Sequence, residues 1–131
     1  MALPNGAGGY QYNDGNSGEA LLFVQGAPTA LTAAATVTAA QLANGLFTFN
    51  GTAGAMTLPT VALLEAEISS AAKTNAAFRF SIVNVDSADA VTVTAGTGWT
   101  LVGTAAVSAN TSSQWLARKT GDGAWTAYRI A

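Results

Sequence analysis

Apolar and polar residues alternate in short runs along most of this chain, and Gly, Asn, Asp or Pro cuts each run off. Phe78, Phe80 and Ile82 alternate with Arg79, Ser81 and Val83, a period of two that predicts a half-buried strand. Val91 and Val93 alternate with Thr92 and Thr94 in the same way. The Asp86-Ser87-Ala88-Asp89 turn between the two runs predicts that they pair as a hairpin. Thr36-Val37-Thr38, Leu46 to Phe49, Ala55 to Leu58, Trp99 to Val102, Ala105 to Val107, Gln114 to Arg118 and Trp125 to Ile130 read as further strands. Ala39 to Gly45 reads as a turn, and Gly121-Asp122-Gly123 as a hairpin turn. One stretch changes period. Val61, Leu64 and Ile68 fall at i, i+3 and i+7 behind Pro59 and a Thr60 N-cap, which predicts a helix over about 60–72. Short strands with turn signals between them predict a mainly β fold. It is a β-sandwich or barrel, jelly-roll-like, of short antiparallel strands with that one short helix. No clean internal repeat is visible.

Residues 1–33 lack this periodicity. Asn5 to Gly9 and Asn13 to Gly18 are turn formers, yet Tyr10, Tyr12 and Leu21-Leu22-Phe23-Val24 lie among them. Such a segment is either a loose tail or an arm that becomes ordered on a neighbour. The large apolar residues favour an extended N-terminal arm over 1–33 leading into a β-rich domain over 34–131. Tyr10, Tyr12, Leu22 and Phe23 are then the candidate interface residues.

Composition narrows the chemistry. The 131 residues include no His and no Cys, and only 9% are charged, against about 25% in ordinary domains. No side chain titrates near neutrality unperturbed, and no thiolate can attack or bind metal. Half of the residues are hydrophobic, so a low-charge surface of this kind suits burial against other chains. The net charge is −2, and the Arg118-Lys119 pair is too small a basic patch to hold phosphates, so no nucleic-acid partner is expected. The longest strictly apolar run, Ala20 to Val24, is far short of a membrane span, and no membrane association is expected. Met1 to Gly6 has neither a basic region nor an apolar one, so Sec export is not expected either.

The remaining polar residues assemble no catalytic pattern. Ser70 and Lys73 lie three apart but outside any recognisable nucleophile context. Glu65 and Glu67 diverge on the helix, and Asp86 and Asp89 fit a turn better than a calcium loop. No catalytic residue, metal site or cofactor is expected. Trp99, Trp115 and Trp125 could form a platform for sugars. The large/small alternations Trp115/Ala117 and Trp125/Ala127 favour packed core or interface positions instead. Arg118, Lys119 and Arg129 are expected to be solvated or paired with carboxylates.

Phe78 to Asn84, Val91 to Gly103, Ser113 to Gly121 and Ala124 to Arg129 follow one another in a distinctive cadence of strands and turns. Leu46 to Leu58, Pro59 and a short helix precede them. Over about residues 34–130 this resembles small structural proteins of tailed bacteriophages, especially capsid decoration (cement) proteins. The resemblance implies a β-rich homotrimer on the surface of an icosahedral head. There it would bridge subunits of the phage major capsid protein at three-fold or quasi-three-fold positions. The expected function is that of a non-enzymatic virion protein, made in the host cytoplasm. The alternative is a carbohydrate-binding or host-attachment module of a tail fibre or spike.

Overall fold

A computed structural model describes residues 22–68 and 72–131. The described chain is mainly β, with ten strands and two short helices. The strands are β1 (Thr29–Leu31), β2 (Ala35–Thr36), β3 (Leu46–Phe49), β4 (Gly54–Thr57), β5 (Ala77–Asn84), β6 (Val91–Thr94), β7 (Trp99–Val102), β8 (Ala106–Val107), β9 (Ser112–Gly121) and β10 (Ala124–Arg129). The helices are α1 (Ala39–Asn44) and α2 (Val61–Ile68). β1 lies inside the stretch read from sequence as arm, and its Leu31 is part of the core.

From β1 to β8 the chain changes sheet at every strand. One sheet has the order β1-β3-β5-β9-β10-β7 and the other β2-β4-β6-β8. The first six strands therefore wind as three turns of a coil. Each turn contributes one strand to each sheet, and α1 and α2 occupy the first two returns. Strands brought back this way lie parallel: β1, β3 and β5 in one sheet, β2, β4 and β6 in the other. This corrects the expectation of antiparallel strands throughout. Antiparallel pairing is confined to β5 with β9, β9 with β10, and β6 with β8, while β10 and β7 run parallel. The hairpin expected between Phe78–Val83 and Val91–Thr94 does not form, because β5 and β6 belong to opposite sheets. Alternation reports which side of a strand is buried, and both strands are buried on one side. It carries no information about the partner strand. The successive turns stack closely: a Cβ on Gly51 would lie 1.9 Å from the carbonyl oxygen of Thr32 in the turn before it.

The core fills the space between the sheets. Phe47, Phe49, Phe80, Ile82 and Trp115 come from one side, and Met56, Val91, Val93 and Val107 from the other. Trp115 stacks on Phe80 with ring centroids 6.0 Å apart, and Trp125 packs against Trp99 and Phe78. Trp115, Ala117, Trp125 and Ala127 are all buried, as the large/small alternation predicts. One polar side chain ties the layers together. The buried Asn84, at the end of β5, donates from Nδ2 to the carbonyls of Asp89 and Val107 and accepts from the N–H of Asp86.

The helix expected over 60–72 is present as α2, described from Val61 to Ile68. Thr60 caps it, accepting from the N–H of Leu63 at 3.3 Å. Val61 and Leu64 face the core, whereas Ile68, expected on the same face, is exposed. α1 replaces the turn expected over 39–45. Thr38 and Gln41 form a reciprocal capping box, and Gly45 closes the helix in the left-handed conformation.

Candidate functional site

Two apolar features stand out on the described surface. The first is the segment before β1. Leu22, Phe23 and Val24 are 85%, 84% and 98% exposed. They are presented by a polar clamp immediately after them. Gln25 Nε2 donates to the carbonyl of Asn44 at 2.7 Å, and Asn44 Nδ2 donates to the carbonyl of Ala27 at 2.9 Å. Gly26 passes so close to Asn44 that a Cβ there would lie 2.3 Å from Asn44 Oδ1. The clamp thus fastens the chain to the C-terminal end of α1 and leaves the apolar triplet projecting. Of the interface residues expected from sequence, Leu22 and Phe23 are therefore accessible, and Tyr10 and Tyr12 lie outside the described residues.

The second feature is a groove of about 740 Å³ between α1 and α2. Its floor comes from the segments where β2 and β4 leave their sheet, with Val37 and Leu58 at equivalent places in successive turns of the coil. Its walls are helix faces built from Ala39 and Ala40 on one side and Leu63 and Ala66 on the other, with Glu67 at the edge. Leu63 is 60% exposed there. Sequence reasoning misses this groove because it is assembled from three separated segments. The one local signal was the Thr38-x-x-Gln41 pattern, a capping box that marks α1.

The polar groups do structural work. Lys119 is buried and reaches Glu65 Oε2 at 2.6 Å, while also donating to the carbonyl of Ala72. Trp125 Nε1 donates to the same Glu65 oxygen at 3.3 Å. The Lys119 hydrogen bond holds the Glu65 carboxyl below the usual glutamate range, outweighing the opposing effect of burial. Asp86 Oδ1 accepts from the N–H groups of Ala88 and Asp89, which hold its carboxyl below the usual aspartate range. This is the turn geometry expected for Asp86-Ser87-Ala88-Asp89. Arg118 and Arg129 are partly exposed and, among the described residues, neither pairs with an Asp or Glu side chain: Arg118 bonds to Asn75 Oδ1 and the Tyr128 hydroxyl, and Arg129 to the backbone oxygens of Thr104, Ala106 and Ala131.

Ser70 lies outside the described residues, so its pairing with Lys73 has no geometry here. Among the described residues no group of three or more Asp or Glu side chains is placed to hold a metal ion, and no helix is long and apolar enough to cross a membrane. Trp99, Trp115 and Trp125 are buried, with indole N–H groups donating to the carbonyl of Pro59, to Ser113 Oγ and to Glu65 respectively. They offer no exposed face for stacking on a sugar. No protein-family model, curated protein or solved structure matches the chain.

Proposed function

We propose that this chain is a non-enzymatic structural protein of a tailed phage virion, a decoration protein that trimerises on the capsid surface and bridges major capsid subunits. The observation that carries this reading is the solvent-facing Leu22-Phe23-Val24 triplet, clamped at its base to a well-packed domain. Three large apolar side chains held in water by a defined anchor are suited to a partner surface. Burying each is worth about 1.5–3 kcal/mol, so one arm supplies a gross ~5–9 kcal/mol before ordering costs. The cadence shared with decoration proteins supplies the kind of partner, and the low charge of the chain agrees with extensive burial in an assembly.

The mechanism is linkage. A protein that binds the assembled shell and not its separated subunits shifts the equilibrium toward the shell. Incubating undecorated heads with the full chain and with a form lacking residues 2–24 tests this. The full chain is expected to sediment with the heads. The shortened form retains the Gln25–Ala27 clamp and β1, and is expected to fold and stay in the supernatant. Equal decoration by both forms overturns the role of the arm.

A further inference from the structure

We draw no further inference here: the strongest candidate, the apolar groove between α1 and α2 walled by Ala40 and Leu63, carries nothing because nothing in the structure shows what covers it.

Discussion

Lys119 continues the inward-facing series Ser113, Trp115, Ala117 along β9, at a place where an apolar residue would be unremarkable. It is tolerated because Glu65 on α2 and the carbonyl of Ala72 meet its ammonium. Removing one partner of a fully buried ion pair costs about 3–5 kcal/mol. Glu65 retains some contact with water, so Lys119→Ala is expected to cost about 2 kcal/mol in urea unfolding at neutral pH. The Glu65 carboxyl is held below its ordinary value, so its stabilisation is complete above the unfolded-chain pKa of about 4.3 and is lost as pH falls through the lower folded value. Glu65→Gln is therefore expected to flatten the fall in stability below roughly pH 4.5. A fall as steep as in the wild type would show that the pair contributes nothing in acid. The pairing was only half legible in the sequence. An inward lysine on an alternating strand asks for a carboxylate, but seven carboxylates were available and only the packing of α2 on the β9–β10 hairpin selects Glu65.

At the scale of elements, α1 shows how a short helix hides. Six residues are too few to display a 3.6-residue period, and Asn44-Gly45 reads naturally as a turn. The element is stabilised from its ends and by burial of Leu42. Thr38→Ala removes the side chain that accepts from the N–H of Gln41, and is expected to lower stability by about 1 kcal/mol in urea unfolding. No loss would mean that burial of Leu42 alone holds α1. The same helix carries both the clamp for the arm and one wall of the groove. Strand positions were more legible than α1, because β5, β6 and β9 each alternate over one buried face. The partners of these strands were not. The choice between a hairpin and a crossing to the opposite sheet depends on short links such as Val85 to Ala90, and on close approaches such as Gly51 against Thr32.

At the scale of the whole molecule, three coil turns feed two sheets that enclose Trp99, Trp115 and Trp125 and hold the Lys119–Glu65 pair. Leu22 and Phe23 were visible in the sequence as large apolar residues next to a glycine- and asparagine-rich stretch, where no core could use them. Their accessibility follows from the clamp at Asn44, which brings residues nearly twenty positions apart into contact and leaves no trace in local pattern. The proposed function attaches these features to a capsid, and its central claim is thermodynamic: the protein stabilises the shell by binding it. Calorimetry of undecorated heads with increasing amounts of the purified protein measures that directly. The disassembly temperature is expected to rise with protein concentration past saturation, as mass action requires of a ligand specific to the assembled state. A disassembly temperature that does not move at saturating protein contradicts it.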